Sequence, residues 1–142
     1  MKKEENFKCV LNYLKINYNF SPKNITSDFH MGQVKAILSV YNESNLILCW
    51  FHALRNIKNK IPFLNSKNSS DKIISRNIIA NLKLMFFIPE EDIEDFYRNI
   101  KRHYNNNAYT NFYKYMDKFI NKKINGKKYL WNYSKLIRDS IY

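Results

Sequence analysis

The chain has 142 residues, enough for one domain with a buried core, and 45% of them are hydrophobic. Its 24 basic and 12 acidic residues leave a net charge of +12, which points to a polyanionic partner, most often nucleic acid. No apolar run reaches membrane-spanning length, MKKEENFK carries no signal-peptide pattern, and two distant cysteines make no disulfide framework, which argues against membrane and disulfide-stapled secreted proteins.

The expected setting is therefore reducing and intracellular, with no membrane partner and no small-molecule substrate. The charge has a second source. The chain is rich in Asn, Lys, Ile and Tyr, whose codons are dominated by A and T, and biased coding alone raises lysine. With two glycines and three prolines, long helices are expected and tight hairpins are not.

Residues 3–17 read as an amphipathic helix, with Phe7, Val10, Leu11 and Leu14 at i, i+3, i+4, i+7 spacing. Cys9 lies near that apolar face and reads as a buried, inert thiol. Phe20 and Pro22 form a loop into a short β-favouring run, residues 25–29, that includes Asp28. MGQVKAILSVY places Val34, Ile37, Leu38 and Tyr41 on one helical face. NESN is a turn, and the apolar run at residues 46–50 has the character of a strand buried on both faces. FHALRNIKNKI then repeats Leu54, Ile57 and Ile61 at helical spacing. Strand, helix, strand implies a βαβ unit with parallel pairing, covered by the first helix. Asp28 and Cys49 would end neighbouring strands. Functional groups of open α/β sheets lie at such C-terminal strand ends.

Beyond Pro62 the pattern is helical. NSKNSSD is a loop with Ser70 or Asp71 as N-cap, and residues 73–88 form a helix dense enough in apolar side chains to be largely buried. Glu90, Glu91 and Glu94 read as solvated charges at the start of a helix over 90–104, with Ile93, Phe96, Tyr97 and Ile100 on one face. NNN at 105–107 ends it. A helix over 108–124 turns Phe112, Tyr115, Met116, Phe119 and Ile120 inward, Gly126 stops it, and a last helix spans 129–141.

Several of these residues form a pattern. SDF ends on Asp28 and Phe29, an Ala36–Ile37 pair follows in the helix, and Cys49-Trp50-Phe51-His52 makes a C-x-x-H ahead of a basic amphipathic helix. LWNYSKL follows at residues 130–136. The order and spacing resemble the transposases of Mutator-like elements, the MULE family, over nearly all of this chain and the middle of a full transposase. The resemblance implies an α/β, mostly α fold: residues 1–62 as a partial RNase H-like unit with a two-stranded parallel βαβ, and residues 63–142 as an all-helical insertion.

It also implies a role in DNA transposition. Family members use three carboxylates to hold Mg or Mn for two-metal strand cleavage and transfer. Asp28 matches the second aspartate, and Cys49 and His52 match the motif of the catalytic neighbourhood. The first aspartate and the final glutamate have no counterpart here, and His30 stands where many relatives carry Glu. The expectation is a truncated transposase, inactive alone, with no cofactor of its own. Asp28 would be a metal ligand only if another transposase chain completed the triad. Without the family, Asp28 reads as a helix N-cap. C-x-x-H is half of a zinc site, but Cys9, His30 and His103 do not pair at ligand spacing.

Arg55, Lys58, Lys60, Lys122, Lys123, Lys127 and Lys128 are the candidate phosphate contacts. Tyrosines and Trp131 interleave with them, but Tyr115 and its neighbours fit helical core spacing, so the aromatic content reads as packing. DNA is the expected partner and the nucleus the expected site if the source is eukaryotic. The other reading is a non-enzymatic, basic helical module that binds nucleic acid. In either case the open sheet edge favours association with further chains.

Overall fold

The computed structural model describes residues 2–141. Its elements run α1 (Lys2–Tyr18), β1 (Asn24–Ser27), α2 (Met31–Val40), β2 (Asn45–Leu48), α3 (Trp50–Lys60), α4 (Ser69–Leu84), α5 (Glu90–His103), a 3-10 turn (Asn107–Tyr109), α6 (Thr110–Asn121) and α7 (Ser134–Ile141). The fold is α/β and mostly helical, with one two-stranded sheet among the described residues. Two compact units divide it, residues 1–52 and 53–142, so the boundary falls inside α3.

In the first unit β1 and β2 pair in parallel, with Asn24 opposite Asn45, Ile25 opposite Leu46, Thr26 opposite Ile47 and Ser27 opposite Leu48. The pairing is extended at both ends, where Asn45 donates its N–H to the Lys23 carbonyl (2.8 Å) and Cys49 donates to Ser27 (2.7 Å). Leu46, Ile47 and Leu48 are all buried, as a strand covered on both faces requires. Both strands stop earlier than their apolar runs suggest. Asp28 and Phe29 already belong to the turn into α2, and Trp50 begins α3.

α2 is the apolar centre of this unit, with Val34, Ala36, Ile37, Leu38 and Val40 buried. α1 packs along α2. Lys15 Nζ donates to the Val40 carbonyl (2.8 Å), and the Tyr41 hydroxyl reaches Leu11 (3.4 Å). Near the start of both helices, a Cβ on Gly32 would lie 3.2 Å from the His30 ring, a tight fit, and 3.4 Å from the Glu4 backbone nitrogen, an ordinary contact. The α1 face turned inward is Phe7, Leu11 and Leu14. Val10 is 59% exposed and Cys9 is exposed, against the expectation of a buried thiol.

The second unit buries one face of each of its longer helices. α4 contributes Ser75, Ile78, Ile79 and Leu82, α5 contributes Ile93, Tyr97 and Ile100, and α6 contributes Phe112, Met116 and Ile120. α4 is not largely buried: Ile73, Ile74 and Leu84 are exposed on its outer side. It starts earlier than expected because Asn68, not Ser70 or Asp71, is its cap. The Asn68 Oδ1 accepts from the N–H groups of Ser70 (3.0 Å) and Asp71 (3.4 Å). Gly126 does not stop a helix either. Asn125 (φ 50°) and Gly126 (φ 76°) both sit in the left-handed region between the bridged residues Ile124 and Lys127, a tight Asn-Gly turn of the hairpin kind.

The last helix begins five residues later than its periodicity suggests. Tyr129 takes a left-handed φ of 57°, which breaks any continuous helix there. Trp131 then buries itself between Phe86 and Phe119, at ring-centre distances of 5.3 and 5.2 Å. Asn132, also buried, donates both amide hydrogens, to the carbonyls of Met85 (2.8 Å) and Ile88 (2.9 Å). Its oxygen accepts from the Ser134 N–H (3.0 Å) and hydroxyl (2.6 Å) and so caps α7.

Candidate functional site

The register of the sheet builds the first site. Ser27 and Leu48 are paired at the C-terminal strand ends, so the next residues, Asp28 and Cys49, leave the same end of the sheet together. Asp28 is exposed, and its Oδ1 accepts the His30 N–H at 3.0 Å. It therefore shapes the turn rather than capping α2. The cap of α2 is His30, whose Nδ1 accepts the Gln33 N–H at 3.3 Å. The Phe7 ring meets His30 edge-on at 5.8 Å, which ties this turn to α1.

Cys49 is half-buried and His52 is exposed, with Trp50 and Phe51 between them in the first turn of α3. Phe51 is 62% exposed, and its ring stands edge-on to both Trp50 and His52. The residues that the motif groups in sequence are thus grouped in space at one end of the sheet. Among the described residues no three His, Cys, Asp or Glu side chains cluster. A two-metal centre takes several carboxylates, so Asp28 alone does not fit one. C-x-x-H likewise supplies two of the four ligands that a structural zinc takes.

The basic candidates lie in the second unit. Arg55, Lys58 and Lys60 are exposed along the later turns of α3, and Lys60 Nζ lies 5.7 Å from the ring centre of Tyr115. Lys122, Lys123 and Lys127 are exposed around the Asn125–Gly126 turn. Lys128 is engaged instead: its Nζ is 3.6 Å from Glu94 and 3.3 Å from Asn121, and 5.3 Å from the Tyr129 ring centre.

Glu90 is exposed at the start of α5, as a solvated helix-start charge should be. Desolvation by its neighbours first, then the charge of Glu91, raises its carboxyl above the usual range, against Lys135 and Arg138. All four side chains line one groove of about 450 Å³.

One further site shares only Lys58 with the sequence candidates. The end of α3 and the turn after it, residues 58, 59, 61 and 63–66, line an open hollow of about 460 Å³, with Phe63 at φ 64° and 38% exposed. An aromatic residue with positive φ is a conformational outlier. The Pro-Phe-Leu-Asn string signals a turn through Pro62, but nothing in it marks Phe63 as left-handed.

Among the described residues no helix is long and apolar enough to cross a membrane. No family model, curated protein or solved structure matches this chain.

Proposed function

We propose that this chain derives from a Mutator-like transposase, associates with DNA, and does not cut DNA by itself. One observation supports the reading above the others. The paired ends of two parallel strands, joined through α2, bring Asp28 and the Cys49–His52 segment out at one end of the sheet. Open α/β sheets place their functional groups there. In the family, the matching aspartate shares divalent cations with two more carboxylates. A single carboxylate cannot clamp the attacking and leaving oxygens of a two-metal displacement. Cleavage would require carboxylates from another transposase chain, and Asp28 would bind Mg or Mn only in that assembly.

The exposed Arg55, Lys58, Lys60, Lys122, Lys123 and Lys127 favour a second reading, a basic nucleic-acid-binding module with no enzymatic role. The two readings part over Asp28. The test mixes this chain with a member of the family whose own second aspartate is replaced by alanine, and follows strand cleavage in Mg or Mn. The expected result is no cleavage by this chain alone and partial rescue in the mixture, lost in Asp28→Ala. DNA binding without rescue would favour the non-enzymatic module. Metal-stimulated cleavage by the isolated chain, abolished in Asp28→Ala, would overturn the proposed inactivity.

A further inference from the structure

The turn after α3 combines three features. The first is an aromatic ring held in a costly conformation. Phe63 has φ 64°, where a bulky side chain rarely sits, and residues in such conformations persist only when their surroundings hold them there. The surroundings here do so. The hydroxyl of Ser75, fully buried, donates to the Pro62 carbonyl at 2.6 Å and lies 2.9 Å from the Tyr109 hydroxyl. The Tyr109 ring, also buried, meets Phe63 edge-on at 6.1 Å. The Ser66 N–H closes the turn on the Phe63 carbonyl at 3.1 Å. The ring is thus fixed from one side and still 38% exposed.

The second feature is the cavity itself. It is an open surface hollow of about 460 Å³, wide to solvent, across which a flat group can lie. The third is its lining. Ile61 supplies an apolar wall and Phe63 a ring, Asn59, Asn65 and Ser66 supply donors and acceptors, and Lys58 supplies a positive charge. A flat heterocycle with polar edges and a phosphate attached matches this set. Aromatic stacking holds the base, amide side chains meet its edges, and lysine meets the phosphate.

We propose that this cavity receives one unstacked base of single-stranded DNA, with Phe63 as the stacking platform, Asn59 and Asn65 at the base edge and Lys58 on the adjoining phosphate. The inference rests on the nucleic-acid reading above and adds a strand preference to it. A base paired within a duplex is not free to enter, so single strands bind better than duplexes of the same length.

The test measures binding of fluorescently labelled oligonucleotides, single-stranded and duplex, at low salt and with increasing salt. Two variants are compared with the wild-type chain. Phe63→Gly removes the ring while relieving the positive φ, and Phe63→Trp keeps a stacking ring and adds a reporter. The expected outcome is tighter binding of the single strand. In Phe63→Gly that affinity falls about tenfold, in line with the loss of one base–aromatic stack, with an unchanged salt slope. In Phe63→Trp the affinity is kept, and the added fluorescence is quenched by the strand. If Phe63→Gly fails to fold, the quenching alone decides. Equal affinity for duplex and single strand, or no quenching in Phe63→Trp, would overturn the cavity assignment and leave DNA binding standing. No binding by the wild-type chain at low salt would overturn both.

Discussion

The Asn132 side chain donates to the Met85 carbonyl at 2.8 Å across 47 positions of sequence, fastening the segment before α7 to the end of α4. The same amide donates to Ile88, and its oxygen caps α7 through Ser134, so all four hydrogen-bonding positions of one buried amide are used. Asn132→Ala would strand two carbonyls and uncap the helix. A loss of about 2–4 kcal/mol is expected. A urea melt of the variant checks it, and a change below about 1 kcal/mol would show that water replaces the amide.

Tyr97 and Tyr113 set the expected behaviour in alkali. Tyr97 donates to Asp117 at 2.7 Å and to the Tyr113 carbonyl at 3.2 Å, while Lys101 approaches both Asp117 (3.1 Å) and the Tyr97 ring. Burial first, then the Asp117 hydrogen bond and charge, holds the Tyr97 hydroxyl far above its usual value. Burial, with the neighbouring tyrosines, pushes Tyr113 up to about 12. Both phenols hold their protons more tightly in the folded chain than in the unfolded one. Their contribution is complete below the ordinary phenol value of 10.0 and is lost as pH rises through the folded values. This contribution should therefore be level up to about pH 9 and fall away above pH 10. Tyr113→Phe should soften the part of that fall between 10 and about 12, measured as melting temperature against pH.

Gly126 has φ 76° and open space where a Cβ would go. Gly126→Ala should cost about 1 kcal/mol, from the left-handed backbone alone and not from a clash. Gly126→Asn should cost less, because asparagine tolerates that region. Denaturation midpoints of the two variants against wild type decide the order.

Asp28 is exposed and bonds only locally among the contacts seen, to the His30 N–H. Asp28→Ala should change stability by about 1 kcal/mol or less. A matched pair of melting curves checks this. The small effect is what makes the variant a clean probe of function, since lost rescue in the mixing experiment would not reflect unfolding.

Much of the architecture was legible because burial imposes period. Ile93, Tyr97 and Ile100, or Phe112, Met116 and Ile120, recur at helical spacing and are the residues found inside. The parallel pair was legible from two short runs separated by one helix. Caps were less so. Asn68, Ser70 and Asp71 all suit an N-cap, and residue type alone does not choose among them; Asn68 takes the role. The Asn125–Gly126 pair carried a hairpin signal that reading it as a helix stop passed over. Asn132 two positions before Ser134 also offered a cap, hidden beneath the apolar period of Leu130, Tyr133 and Ile137. Apolar density misled in α4, where Ile73, Ile74 and Leu84 are exposed. At the site, spacing placed Asp28, Cys49 and His52 at one end of the sheet. It could not show Phe63, because a left-handed aromatic is set by what holds it, here Ser75 and Tyr109.

The chain's two tryptophans fall one in each compact unit. Trp50 is 36% exposed at the start of α3, whereas Trp131 is 3% exposed between two phenyl rings. Indole emission shifts to the red as the ring meets water, so the protein carries two native optical reporters of different starting colour. Trp131→Phe leaves a signal from residues 1–52 alone, and Trp50→Phe leaves one from residues 53–142. Within each variant, an emission curve that superimposes on the far-ultraviolet circular dichroism curve would mean that both units melt as one cooperative body. Separated curves would mean that each keeps its own free energy of unfolding.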